Sequence, residues 1–146
     1  MTRVDFYILK DLEQHAAFRF ACRLGLKGFT SGQSVHLHVT DAQQAQALDE
    51  LMWDYPQHRF VPHSVLEPQD EQSASDQPIH IGWQTPSFNE GLLINLTDEV
   101  PTFFGRFDRV AEIIVEQTKA SGRSRYAHYR DRGYPIHHHE LEQWEN

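Results

Sequence analysis

The sequence contains one cysteine, Cys22, in 146 residues. A single cysteine excludes a disulfide within the chain and is typical of proteins from a reducing cytosol. Long hydrophobic runs are missing too: no apolar stretch approaches the roughly 20 residues that a membrane-spanning helix needs. The first residues, Met-Thr-Arg-Val-Asp, also lack the apolar segment of a signal peptide. The sequence therefore predicts a cytoplasmic protein that makes no membrane contact.

Positive charge is scarce. Lysine and arginine together number 13 against 21 aspartates and glutamates, which gives a formal net charge of -8 and a pI near 5.6. Because the phosphates of duplex DNA favour a broadly basic face, this balance argues against direct duplex DNA binding. The hydrophobic fraction of 39% is ordinary for a globular protein, and the length fits a single core.

Signatures of nucleotide, metal and hydrolase sites are missing as well. The glycine-rich segment 25–33 follows a predicted helix rather than a strand and has no Gly-Lys-Ser/Thr, so it does not match a phosphate-binding loop. The ten histidines include the run 137–139, but no His-Glu-x-x-His motif accompanies them. No Gly-x-Ser-x-Gly motif is present either. The sequence thus predicts no catalytic residue, no metal and no cofactor.

Apolar periodicity alternates between strands and helices along the chain. Period-two or continuous apolar runs predict strands at 4–9, 35–39, 60–61, 79–83 and 91–96. Helical periods predict helices at 12–26, 42–54, 103–117 and 123–132, with Thr40 or Asp41 as the cap of the second. Segment 67–78 is polar and aperiodic, which is typical of a surface loop. The alternation predicts an α/β fold with a mostly parallel sheet flanked by helices.

Two segments indicate a docking surface. Residues 49–63 carry aromatic side chains among prolines, and residues 119–132 carry five cations against one acid, Asp131. On a helix, Lys119, Arg123, Tyr126 and Arg130 would share one stripe. Taken singly, the aromatic segment is more typical of a buried core and the cationic segment of a solvated helix face. Together they predict a site for a peptide that ends in acids and an aromatic residue.

Three motifs resemble those of a known family. They are Asp-Phe-Tyr-Ile-Leu near the start, Leu-Asp-Glu-Leu-Met-Trp-x-x-Pro-x-x-x-Phe-Val-Pro-His in the centre and Arg-x-Arg-Tyr-x-x-Tyr-Arg-x-x-Gly-Tyr near the end. In order and spacing they resemble the chi subunit of bacterial DNA polymerase III. The resemblance implies a single Rossmann-like domain without a nucleotide-binding loop, spanning 1–134. The remaining residues, 135–146, are not part of the resemblance, and their composition predicts a polar, His-rich C-terminal tail. The resemblance also implies a non-catalytic accessory subunit.

The resemblance further implies two partners. In this family the psi subunit tethers chi to the clamp loader, and chi binds the acidic C-terminal tip of the single-stranded-DNA-binding protein (SSB), an Asp-rich segment ending in Pro-Phe. The implied tip-binding residues are Trp53, Phe60, Pro62, Ile114, Lys119, Arg123, Tyr126 and Ala127, the last standing where a second basic residue is expected. Two alternatives stay open: a direct single-stranded nucleic-acid-binding module, and an orphan enzyme with a degenerate Rossmann fold.

Overall fold

A computed structural model describes residues 2–55, 63–65, 79–86 and 90–144. Within these ranges seven strands form one open sheet in the order β3-β4-β2-β5-β6-β1-β7, and each strand is parallel to its neighbours. The strands are β1 (Arg3–Leu9), β2 (Val35–His38), β3 (Ser64–Val65), β4 (Ile79–Gly82), β5 (Leu92–Asn95), β6 (Arg109–Ile114) and β7 (Ile136–Leu141). The predicted α/β class with a parallel sheet flanked by helices is confirmed.

In the described part of the chain, three α-helices pack on this sheet: α1 (Gln14–Thr30), α2 (Ala42–Asp54) and α3 (Lys119–Asp131). The bounds of α2 match the predicted ones, and the Asp41 side chain caps it by accepting a hydrogen bond of 2.9 Å from the Gln44 backbone N–H. Helix α1 runs four residues further than predicted. Gly28 lies so close to β2 that an added Cβ would be 2.9 Å from the Val35 side chain. Gly28 therefore allows α1 to pack closely on β2 and does not end the helix.

The two faces of the sheet bury separate cores. Helices α1 and α2 cover one face, which we call the α1 face. Helix α3 covers the opposite face, which we call the α3 face, together with aromatic side chains from segment 103–107. Because side chains alternate along a strand, Val4 and Phe6 of β1 point to the α3 face while Tyr7 and Leu9 point to the α1 face.

The predicted helix at 103–117 is wrong. Residues Phe104–Arg106 form one turn of 3₁₀ helix, and Arg109–Ile114 form β6, which lies between β5 and β1. The apolar residues at 104, 107, 110 and 114 fit a helical period by coincidence. A central parallel strand is buried on both faces, so its sequence shows no alternation that would distinguish it from a buried helix.

The last third of the chain differs from the sequence prediction in two further ways. Helix α3 begins at Lys119 rather than at 123, and Gly122 lies inside it, where an added Cβ would come within 2.6 Å of Ile114 Cδ1. Residues Ile136–Leu141, within the segment predicted to be a polar tail, form strand β7, which no pattern in the sequence indicates. The predicted strand at 60–61 and loop at 67–78 lie outside the described residues.

Candidate functional site

A pocket of about 240 Å³ opens on the α3 face, between α3 and strands β1, β6 and β7. Its lining residues are Phe6, Ile8, Ile114, Lys119, Gly122, Arg123, Tyr126 and His138. The pocket therefore brings together four predicted tip-binding residues: Ile114, Lys119, Arg123 and Tyr126. Its volume is below the roughly 300–1,000 Å³ of sites for drug-sized molecules and suits a single side chain better.

The floor of the pocket is apolar and depends on a glycine. Ile114 ends β6, and Phe6 and Ile8 project from neighbouring β1 because they alternate toward the same face. Gly122 allows α3 to lie directly on Ile114, since any side chain there would overlap its Cδ1 atom. The close approach of helix and strand leaves an apolar depression beside them.

The rim of the pocket is cationic and aromatic. Lys119 Nζ lies 2.9 Å from Glu116 Oε2, and both side chains are about half exposed. Arg123 is exposed and forms no ion pair within the described part of the chain. Tyr126 packs its ring against Phe6, with centroids 5.6 Å apart, and against His138 at 5.3 Å. The rim thus offers donors to an anion above an apolar floor.

A buried polar network fixes α3 behind the pocket. Glu112 of β6 is fully buried and accepts hydrogen bonds from Arg125 Nε at 2.8 Å, Tyr129 Oη at 2.7 Å and Asn95 Nδ2 at 2.9 Å. Arg125 also donates to Ser121 Oγ at 2.8 Å. These bonds tie two turns of α3 to the centre of the sheet. They therefore orient the opposite side of the same helix, which carries Arg123.

Burial governs the titration of this network. Desolvation raises the pKa of Glu112, while the charge of Arg125 and the hydrogen bonds from Asn95, Tyr129 and Arg125 act to lower it. Burial also raises the pKa of Tyr129, as does the neighbouring Glu112. Tyr129 consequently keeps its proton and donates it to Glu112 in a hydrogen bond.

Trp53 does not line this pocket. It lies near the end of α2 on the α1 face, with 59% of its surface exposed, and its ring centroid is 5.2 Å from that of His63. Helix α2 returns toward the amino ends of the parallel strands, whereas Ile114 lies at the carboxyl end of β6. Trp53 is not among the residues that line the pocket, and its helix packs on the other face of the sheet from α3, so its part in tip binding stays a prediction.

Of the other predicted tip-binding residues, the structure describes one, Ala127. Phe60 and Pro62 lie outside the described residues. Ala127 is half-buried on α3, one residue beyond Tyr126, and is not among the residues that line the pocket. The structure instead adds Phe6, Ile8 and His138 to the site. Their contribution depends on pairing between β1 and β7, which are more than 120 residues apart.

A larger crevice of about 510 Å³ lies at the carboxyl ends of β2, β4 and β5, where open α/β sheets commonly bind ligands. Its walls include His38, Trp83 and Phe103, with Asp98 and Glu99 at the loop after β5. No lysine or arginine is among its lining residues within the described ranges. Two carboxylates without a cation disfavour a phosphate-bearing ligand here.

A sequence comparison identifies the protein family of this chain. A profile of the DNA polymerase III chi subunit, HolC, matches residues 1–137. This chain belongs to the DNA polymerase III chi subunit family. The match spans every described strand and helix except most of β7, and it includes the α3 side of the pocket.

Curated relatives agree with this assignment. The chain is 39% identical over 144 residues to DNA polymerase III subunit chi of Pseudomonas aeruginosa, covering 97% of this chain and 98% of the relative. It is 29% identical over 136 residues to subunit chi of Haemophilus influenzae, covering 90% and 92%. It is 28% identical over 144 residues to subunit chi of Escherichia coli, covering 93% and 96%. The resemblance seen in the sequence motifs is confirmed.

Solved structures show how widely this fold is shared. The chain is similar to Saccharomyces cerevisiae Dbp5 bound to RNA and ADP BeF3, with a TM-score of 0.65 and 12% identity over 97% of this chain and 43% of that one. A DEAD box protein from Methanococcus jannaschii gives a TM-score of 0.59 and 13% identity over 97% and 42%. The chain spans less than half of either protein, and at this identity the likeness concerns the fold alone.

Membrane spans and metal clusters are both absent from the described part of the chain. No helix there is long and apolar enough to cross a membrane. No group of three or more histidine, cysteine and acidic side chains within those ranges could hold a metal ion. Neither feature adds a second candidate site.

Proposed function

We propose that this chi family member is a non-catalytic accessory subunit that docks the acidic C-terminal tip of SSB and, through psi, links SSB to the clamp-loader complex in the cytoplasm. The observation that supports the proposal is the pocket of Ile114, Lys119, Arg123 and Tyr126. An apolar floor under two cations matches a peptide that ends in aspartates, proline and phenylalanine.

Three parts of the tip fit the pocket and its rim. The terminal Phe side chain enters the depression formed by Phe6, Ile8 and Ile114, where its burial supplies the apolar part of the binding energy. Its α-carboxylate accepts a charge-assisted hydrogen bond from Arg123 or Lys119 at the rim. The preceding aspartates then lie along α3 toward Arg130, whose guanidinium is 5.9 Å from the Tyr126 ring centroid.

The affinity of one tip should be modest. A disordered tail loses conformational freedom when it binds, so only part of the gross interaction energy remains. A micromolar dissociation constant, about 8 kcal/mol, is the expected range. Several tips near one another on coated DNA would raise the effective concentration without any new contact.

The deciding experiment is a titration with a fluorescent peptide ending in Asp-Asp-Ile-Pro-Phe, beside a copy that lacks the final Phe. We expect micromolar binding of the first peptide and almost none of the second, because the Phe fills the apolar floor. Equal binding of the two peptides would mean that general charge attraction, and not the pocket, holds the tip.

Arg123→Ala should weaken tip binding by about 1–3 kcal/mol while leaving the fold intact, since the side chain is exposed and binds nothing but the anion in this proposal. The matched control is Arg106→Ala, which removes an exposed arginine outside the pocket.

Trp53→Ala belongs in the same series of peptide titrations. Because Trp53 does not line the pocket, we expect this variant to bind the tip normally, and a loss as large as that of Arg123→Ala would assign Trp53 to the site.

Gly122→Ala should reduce tip binding by roughly 5–20-fold, or about 1–2 kcal/mol, with a small effect on stability. The new methyl group would overlap Ile114 Cδ1, and the isoleucine can relieve the overlap by turning toward the pocket. An Ile114 side chain turned in this way occupies the apolar floor of the pocket, where the Phe side chain of the tip would bind. Ser124→Ala, an exposed change in the same helix, is the control for an effect of α3 in general. Unchanged peptide affinity in Gly122→Ala would place the Phe side chain elsewhere.

A further inference from the structure

The α1 face carries a second concentration of positive charge, which the order of the sequence conceals. Arg19, Arg23 and Lys27 follow at four-residue intervals on α1 and so lie along one side of the helix. Lys27 and Arg109 line one shallow depression between α1 and β6, and Arg3 points to the same face from β1. We call these five residues the basic shelf. They hold five of the 13 lysines and arginines in the chain.

Two carboxylates of the described residues pair with cations of the basic shelf. Asp5 accepts hydrogen bonds from Arg3 at 3.1 Å, from Arg109 at 3.0 Å and from His139 at 2.9 Å. Burial alone would raise the pKa of Asp5, but these hydrogen bonds outweigh it and lower the pKa. Asp11 lies 4.0 Å from Arg19. Asp5 and Asp11 are thus the carboxylates of the described residues whose ion pairs with the shelf are resolved, on a protein of net charge -8.

Aromatic rings lie among these cations. The Trp144 ring centroid is 6.0 Å from the guanidinium carbon of Arg19 and 5.9 Å from that of Arg23. On the sheet, the rings of Tyr7 and His139 stack at 4.8 Å with an interplanar angle of 16°. Trp144, Tyr7 and His139 are all partly exposed. Cations interleaved with accessible rings are the combination that proteins use to hold single-stranded nucleic acid.

The shape of the shelf favours a linear polyanion over an acidic peptide. Its depression measures about 60 Å³, against about 240 Å³ for the pocket on the α3 face, so it offers no socket for a terminal aromatic side chain. From Arg19 to Lys27 the charges extend over about 12 Å of helix. A ligand with regularly spaced charges matches this line of cations, whereas a peptide with one terminal carboxylate does not.

We propose that the basic shelf binds single-stranded nucleic acid, mainly through its phosphates, with bases resting on the partly exposed rings. The small area and the acidic remainder of the surface disfavour duplex DNA. The shelf and the tip pocket lie on opposite faces of the sheet, so a strand and an SSB tip can occupy the protein together. The proposal does not depend on tip binding.

The test uses the full-length chain and a fluorescein-labelled oligothymidylate of about 20 nucleotides, a length that exceeds the usual site size of one single-strand-binding domain. Fluorescence anisotropy follows binding without SSB, and binding should be measurable at low salt. If about three phosphates are contacted, affinity should fall roughly 20-fold between about 50 and 200 mM salt. No binding at low salt, or binding that is insensitive to salt, would overturn the proposal.

A matched pair of charge reversals locates the contact. Arg23→Glu with Lys27→Glu should weaken oligonucleotide binding at least about tenfold and flatten its salt dependence. Arg106→Glu with Arg132→Glu makes the same change in net charge at exposed positions away from both surfaces, and should change affinity by no more than about threefold. Equal losses in the two double variants would overturn the shelf as the site.

The tip peptide provides a second readout on the same variants. The shelf variant should bind it normally, which also shows that the variant is folded. Loss of the peptide with retained oligonucleotide binding would mean that the shelf holds an acidic peptide, and would refute the nucleic-acid assignment. If the shelf variant does not fold, hydrogen exchange of the unaltered protein decides instead: the oligonucleotide should slow exchange at α1 and β7, and unchanged exchange there would overturn the proposal.

Discussion

Arg125→Ala is expected to lower the free energy of unfolding by about 3–5 kcal/mol, a large effect for the exchange of one charged residue. Arg125 is 3% exposed and Glu112 is fully buried, with Nε and Oε1 2.8 Å apart. Removing the guanidinium leaves the Glu112 carboxyl without the cation that stabilises its charge. It also removes the donor to Ser121 Oγ within α3. Breaking one half of a buried pair costs more than the intact pair contributes.

Urea unfolding at neutral pH measures this loss. Arg123→Ala is the matched control, since it removes an exposed arginine two residues away on the same helix and should cost less than about 0.5 kcal/mol. Adding Glu112→Gln to Arg125→Ala should recover part of the loss, because the neutral amide needs no cation while still accepting from Tyr129. Equal stability of the two arginine variants would show that the buried pair contributes nothing.

Much of the fold is predictable because most elements have a clear period. Helix α2 matches its predicted bounds, and a helical stripe, an aspartate cap and a following Tyr-Pro all point to the same segment. Strand β6 is not predictable in this way. Its residues are buried on both faces, and the local pattern of Phe104, Phe107 and Val110 imitates a helix. What distinguishes this buried strand from a buried helix is its position between β5 and β1, and that position depends on contacts that are distant in the sequence.

The candidate site is predictable where one element carries it. The cationic stripe on α3 follows from helical spacing alone, and the helix places Lys119, Arg123 and Tyr126 at one pocket. The wall formed by Phe6 and His138 arises from pairing between the two ends of the chain, which no local pattern encodes. The sequence also does not tell that Trp53 lies outside the lining of this pocket, because a sequence does not state on which face of a sheet each helix packs. The basic shelf is hidden for the same reason: its cations come from β1, α1 and β6.

Acidification from about pH 7 to pH 5 is expected to lower the free energy of unfolding by about 2–4 kcal/mol, because of histidines buried on the α3 face. Burial lowers the pKa of His36 well below its ordinary 6.5, and the neighbouring His38 and His80 lower it further. Burial lowers the pKa of His38 to about 4 and also lowers that of His80. Between these values and 6.5 the unfolded chain binds protons that the folded one does not, so stability falls as the pH falls.

The surroundings of the pair explain why the folded protein resists protonation. His36 Nε2 lies 3.3 Å from His38 Nδ1, and one ring must donate while the other accepts, so at least one must be neutral at this bond. Phe103 and Phe107 pack against His36. Asp98 and Glu99 line the crevice beside His38 and attract a proton there, and solvent screens the half-buried His38, so its share is the smaller one.

Urea unfolding of the protein and of two variants at about pH 7 and pH 5 tests this origin of the acid sensitivity. His38→Gln removes one of the groups that resist protonation, and the loss on acidification should shrink by about 1–2 kcal/mol. His137→Gln removes an exposed histidine of β7 and should show the same loss as the unaltered protein. A loss that is identical in all three proteins would assign the acid sensitivity to other groups. Tip-peptide affinity measured at the same two pH values separates this effect on the core from any effect on the pocket, because His38 does not line the pocket.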